Sequence, residues 1–258
     1  MISTTAAKPK NKTRRIKLRA ALFWLILWQL GSMALGQPLL LVSPATVVMR
    51  IWALAATTAF WKIITYSLLR IAGGFFLAAA FGVVLAALAA RSACVRALLL
   101  PVVSAIKAIP VASFIVLALI WVSSKNLSVL ISFLMVFPVV YTNVLSGICS
   151  TDRHLLEMAQ VFALSAVPRL RYIYLSQVLP YFRAACSVGL GLCWKSGIAA
   201  EVIGIPKGSM GEQLYNAKIY LDTPDLFCWT LVIVLVSLFF ERVFLALLDV
   251  SVTRLERM

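Results

Sequence analysis

Apolar residues in this chain come in long blocks, and the polar residues gather between them. Blocks near or above the ~20 residues that an α-helix needs to cross a bilayer recur along the whole length. They cover 20–42, 63–90, 97–122, 127–149, 181–205 and 226–248, which predicts six membrane-spanning helices. Pro101 and Pro110 interrupt the third. Ser43-Pro44 and Thr223-Pro224-Asp225 read as helix starts, each a hydroxyl N-cap followed by proline at the first helical position. From Pro44 to about Phe60 the pattern predicts an amphipathic helix lying at the outer surface. The predicted fold class is all-α, a polytopic membrane helical bundle. A basic head before the first block also fits a secretory signal, with Ala34-Leu35-Gly36 as a cleavage site. The length of the block favours an uncleaved helix.

Composition agrees with the pattern. Of the 258 residues, 62% are hydrophobic and 13% charged, against about 45–50% and about 25% in soluble domains. Charge adds an orientation. Lys and Arg number 24 against 9 Asp and Glu, for a net +15, and the first acidic residue is Asp152. All but Arg70, Lys107, Lys195 and Arg242 of the basic residues lie between spans, as anionic headgroups and the positive-inside bias favour. No basic face with interleaved aromatics exists outside the spans, so nucleic acid is excluded as a partner. With the N-terminus inside, the cytoplasmic segments hold fifteen basic residues and the outer loops five. The expected protein is therefore a multi-pass plasma or inner membrane protein with both termini cytoplasmic. It divides into a basic, mobile tail at 1–19, a first span and outer amphipathic segment at 20–62, a core at 63–250 with a polar loop at 150–180, and a C-terminal tail at 251–258.

Several chemistries are absent. One histidine, His154, makes no multi-histidine metal site, and the five cysteines form no C-x-x-C pair. The string Gly204-Ile205-Pro206-Lys207-Gly208-Ser209 has the wrong order for a phosphate loop. No catalytic residue, metal or cofactor is expected, and any ATP must be hydrolysed by another chain. The informative residues are charges and prolines inside apolar blocks, since a charge at mid-bilayer costs at least ~2.5–3.5 kcal/mol. Lys107 precedes Pro110, whose missing N–H frees a carbonyl, and broken helices often border a pathway. Lys195 lies near the centre of the fifth block, where it either lines a pathway or snorkels into a structural contact. Glu201, six residues on, is rotated about 120° from Lys195 on a helix. It reads as an interfacial contact or as a gate. Arg70 reads as a snorkelling residue, and Gly73, Gly74, Gly189 and Gly191 as sites of close helix packing.

The 150–180 loop is too long for a connector and too rich in helix formers for a tether. Leu155, Met158, Val161 and Phe162 form an apolar stripe at helical spacing, and Leu164 adds to it. Ser165 can cap a second short helix with Pro168 in its first turn. Two short helices at an angle would expose an apolar ridge to the cytoplasm. Such a ridge marks a partner surface or lies on lipid.

The loop resembles the E-A-A motif of ABC-importer permeases, E-A-A-x-x-x-G followed by nine residues and I-x-L-P. Glu157, Ala159, Ile173 and Leu175 match it, while Met158, Ala163 and Ser176 replace an alanine, the glycine and a proline. Leu179-Pro180 keeps the second proline of the subfamily pattern. Ser67–Phe75, Lys107-Ala108-Ile109-Pro110, Phe137-Pro138 and Ala199–Gly204 resemble landmarks of the nitrate/sulfonate/taurine branch, over roughly residues 40–250. That branch also includes importers of pyrimidine thiamine precursors. The resemblance implies a type I importer-permease fold and a homodimer. It also implies two copies of an ATPase subunit, an extracytoplasmic substrate-binding protein, and coupling helices that dock into the ATPase. Coupling then falls to Glu157, Met158, Ala159, Val161, Phe162, Ala163 and Leu164. The translocation pathway falls to Lys107, Pro110, Lys195 and Glu201. The basic residues tilt the expected solute towards a small anion such as a sulfonate or nitrate. An ion-coupled secondary transporter or channel is the competing class, but it needs intramembrane acidic or histidine relays, and only Glu201 and Glu241 are on offer.

Overall fold

The computed structural model describes residues 10–37 and 39–256, and among these every regular element is helical. Helix α1 (Lys10–Leu35) starts within the basic tail, so the helix extends further toward the N-terminus than the apolar block does. Residues 1–9 of that tail lie outside the described residues. The helix stops at Gly36, whose φ of 58° is the left-handed conformation that glycine adopts without strain. The first apolar block thus ends its helix at Leu35, seven residues before the predicted end at 42.

Helix α2 (Pro44–Ala55) begins as expected, with Ser43 accepting from the Thr46 amide and proline in the first turn. Helix α3 (Thr58–Arg91) is the second span, capped by Thr57. The third block forms two helices, α4 (Ala93–Ala108) and α5 (Val111–Ala118), bent by 105° at the break between them. Pro110 denies α5 an N–H to continue the ladder of α4, and it holds Ile109 extended at φ −76°, ψ 129°. Pro101 stays inside α4 without breaking it. Helix α6 (Ser124–Cys149) is the fourth span.

A short α7 (Arg153–Val161) follows, then a turn, α8 (Ala166–Pro168), a π-helical turn (Arg169–Tyr174) and α9 (Leu175–Gly204). The helix that carries the fifth span thus begins at Arg169, twelve residues before the apolar block at Tyr181. Helix α10 (Met210–Ile219) opens with a capping box: Ser209 accepts from the Glu212 amide while Glu212 accepts from Gly208. Helix α11 (Thr223–Glu256) also differs from expectation at its start. Asp222, not Thr223, caps it by accepting from the Asp225 amide, and the Thr223 hydroxyl donates to the Leu39 carbonyl instead. The helix runs through most of the expected C-terminal tail. By length and composition, four helices and the bent α4–α5 pair qualify as spans among the described residues.

Helices α3, α6 and α9 form the core. Ile71, Phe75 and Ala78 meet Val136, Val140 and Val144, with Ala185, Cys186 and Leu190 completing the contact. Small residues bring the backbones together. A Cβ at Gly74 would stand 2.5 Å from the Val129 carbonyl oxygen, and one at Gly197 2.7 Å from Ile71 and Ser132. Gly189 meets Val136, but Gly73 and Gly191 face open space, so two of the four expected packing glycines do not pack.

Helix α11 lies at the periphery, with only 6% of its membrane window buried. Two bidentate ion pairs tie it down: Arg50 of α2 to Asp225, and Arg183 of α9 to Asp249. The Asp225 carboxylate raises the already high pKa of Arg50 through its hydrogen bond.

Candidate functional site

The polar loop folds around one tight turn. Asp152 caps α7 by accepting from the His154 amide at 2.9 Å. Beyond α7 the chain reverses at Ala163, where φ is 51°, and the Leu164 amide donates to the Ala159 carbonyl at 2.9 Å. The glycine position of the E-A-A motif is thus held in the conformation that glycine favours, although the residue is alanine. Ala159 is completely buried beneath the turn, as its small side chain permits.

On the outer side, Met158, Val161 and Phe162 are exposed, Val161 and Phe162 by 83% and 72%. Leu164 is only half-buried and belongs to the turn rather than to the crest. The crest continues into Val167 and Leu170, both exposed, which the sequence reading missed. Their i, i+3 spacing was the available signal. The exposed carboxylate of Glu157 lies 3.6 Å from Arg153 and 3.8 Å from His154 on its own helix. The second short helix is not a separate element. It passes through the π-helical turn straight into α9, and Ser176, in place of the motif proline, donates to the carbonyls of Tyr172 and Ile173.

The intramembrane polar residues fall into distinct places. Lys195 is exposed on α9, nine residues below Gly204, on a stripe with Ala184, Val188, Gly191 and Leu192. By helical rise that is about 13 Å from the end of the helix. Glu201 is fully buried. Its Oε2 accepts from the Ser67 hydroxyl of α3 at 2.7 Å and from the Gly211 amide at 3.3 Å, while the Met210 amide donates to Ser67 at 2.9 Å. The carboxylate therefore sits at the N-terminus of α10, where the unpaired amides favour an acceptor. Ser67, Met210 and Gly211 are partners that no spacing in the sequence announced. Lys107 and Pro110 are exposed at the α4–α5 bend. Arg70 does not simply snorkel: it donates to the Lys125 carbonyl and to Asn126 Oδ1, and covers the Tyr66 ring at 4.5 Å. The structure brings the loop residues together, but it places Lys195 and Glu201 on different faces of α9 and Lys107 on a separate helix.

The family model for the binding-protein-dependent transport system inner membrane component matches residues 78–257. The chain belongs to that family. Among known permeases, it is 26% identical to the taurine transport system permease protein TauC of Escherichia coli (strain K12), over 83% of this chain and 80% of that protein. It is 29% identical to the putative aliphatic sulfonates transport permease protein SsuC of the same organism, over 90% and 85%. The formylaminopyrimidine transport permease protein ThiX of Halalkalibacterium halodurans is 25% identical over 81% and 85%. A crystal structure of an amino acid ABC transporter with histidines shares the fold, with a TM-score of 0.55 at 18% identity over 80% of this chain and 96% of that one. The chain is thus an all-α membrane subunit of a binding-protein-dependent ABC transport system.

Proposed function

We propose that this permease, paired with a second copy of itself, forms the pathway for a small organic anion of the sulfonate class. An external binding protein delivers the solute, and two ATPase subunits dock on the 150–180 loop from the cytoplasm. The observation that carries the pathway is Lys195. A lysine exposed about 13 Å inside a span would cost at least ~2.5–3.5 kcal/mol facing lipid. Facing a wet passage between two copies, it costs far less and attracts an anion. The small Ala184 and Gly191 on the same stripe leave room beside it. The names of the taurine and sulfonate relatives point the same way.

The coupling role rests on shape. An exposed crest of Met158, Val161, Phe162, Val167 and Leu170 is continuous with a 36-residue helical span, Arg169–Gly204, so a push on the crest moves the core. Glu157 supplies a directional contact to a basic ATPase residue.

Uptake of radiolabelled taurine into proteoliposomes holding the permease, its ATPase and its binding protein tests the reading. Lys195→Gln is expected to cut uptake at least about tenfold, the effect of about 1.4 kcal/mol, while the complex still assembles. Unchanged uptake would remove Lys195 from the pathway. Uptake of formylaminopyrimidine and not of any sulfonate would overturn the anion class.

A further inference from the structure

Between α4 and α6 lies a cleft of about 410 Å³. Arg96, Ser104 and Lys107 line it from α4, and Tyr141, Thr142 and Ser146 from α6. No acidic residue is among its lining residues. Arg96 and Lys107 are eleven residues apart, which on a helix is three turns and about 20°, so they approach the cleft from its two ends along one face. Arg50, Arg70 and Arg183 are each spent on a carboxylate or carbonyl oxygen. By contrast, Arg96 and Lys107 make no ion pair or hydrogen bond among the described residues. Ser104 and Ser146 likewise have no hydroxyl partner among the described residues. The Thr142 hydroxyl is already committed to the Pro138 carbonyl at 2.7 Å.

We propose that this cleft is a binding site for a small tetrahedral oxyanion, held by Arg96 and Lys107 and by hydroxyl donation from Ser104 and Ser146. Charge-assisted hydrogen bonds to a sulfonate, sulfate or phosphate group are the strong ones, and arginine and lysine provide them at either end. The walls contribute Leu100, Val103 and Leu145, which suit the short apolar body of an organic anion. The identification of the transported solute as an anion rests on the preceding reading; the cleft itself does not. The oxyanion has two sources, the solute on its way through or the headgroup of an anionic lipid.

The test uses the full-length permease with its ATPase in nanodiscs of phosphatidylcholine, with and without phosphatidylglycerol. Binding of radiolabelled inorganic sulfate is measured at equilibrium, and bound phosphatidylglycerol by native mass spectrometry. Arg96→Gln/Lys107→Gln is expected to weaken one of the two at least about tenfold, whereas Lys62→Gln, an exposed cation elsewhere, changes neither. A tenfold loss is about 1.4 kcal/mol. Loss of sulfate binding in pure phosphatidylcholine assigns the site to a free anion, and loss of phosphatidylglycerol alone assigns it to lipid. Arg96→Lys/Lys107→Arg should retain binding, which separates charge from packing. If the double glutamine variant retains both, there is no oxyanion site. If sulfate binding depends on the pair but no sulfonate is taken up by the wild type, the cleft stands and the transport assignment falls.

Discussion

At Ala163 the backbone holds a left-handed conformation that costs an L-residue about 1–2 kcal/mol. Ala163→Gly is therefore expected to stabilise the loop turn by about 1 kcal/mol, less glycine's greater entropy when unfolded. Slower hydrogen exchange of the Leu164 amide, which closes that turn, is the measurement. At Gly211 the sign reverses. A Cβ there would lie 2.5 Å from the Glu201 carbonyl carbon, which belongs to a helix and cannot yield like a side chain. Gly211→Ala should destabilise the permease by about 1–3 kcal/mol, seen as a lower melting temperature in detergent. These two positions show how much was readable in advance. The motif marked 163 as a turn, because a glycine position carries its own backbone requirement. The Glu201 cluster joins residues 67, 201 and 211 from three helices, and no local period encodes such a meeting. A carboxylate in an apolar block announces a partner without naming it.

Helices were legible where one rule dominated. Ser43-Pro44 gave the start of α2 because cap and proline agree. At Thr223 two candidate caps stood side by side, and the carboxylate of Asp222 took the amide. The 105° bend at Pro110 followed from the missing donor, but its size depends on where α5 is seated, with Ile115 and Ala118 buried against α6 and α9. Pro110→Ala restores the donor and frees Ile109 for helical geometry. Spin labels at Ala97 and Val116 should then report longer, broader distances than in the wild type; an unchanged distribution would mean that packing, not proline, sets the angle. The coupling crest makes a comparison between two variants. Burying a large apolar side chain is worth ~1.5–3 kcal/mol, and an exposed ion pair ~0–1 kcal/mol. Glu157 also has Arg153 and His154 as competitors on its own helix. Pull-down of the ATPase should fall further with Phe162→Ala than with Glu157→Ala, and the reverse order would move the contact off the apolar crest.

For the whole molecule, hydropathy alone gave the class, because no soluble interior could hide so much apolar surface. At the first block, Gly36 ends the helix before the apolar run does. Orientation is open to a direct measurement. In a cysteine-free background, Lys12→Cys and Gln160→Cys should resist an impermeant thiol reagent on intact cells, while Lys218→Cys reacts. Reaction at position 160 would reverse the orientation and remove the coupling role. The two ion pairs on α11 also bear on how firmly that helix is held. Asp249 lies near the far end of α11, a helix with little buried surface to hold it. Its seating at that end depends on the carboxylate meeting Arg183 of α9. A copy cut short of position 249 keeps the α3, α6 and α9 core but leaves Arg183 without that carboxylate. The seat of a whole peripheral helix thus rests at this end on one exposed ion pair, which salt can screen.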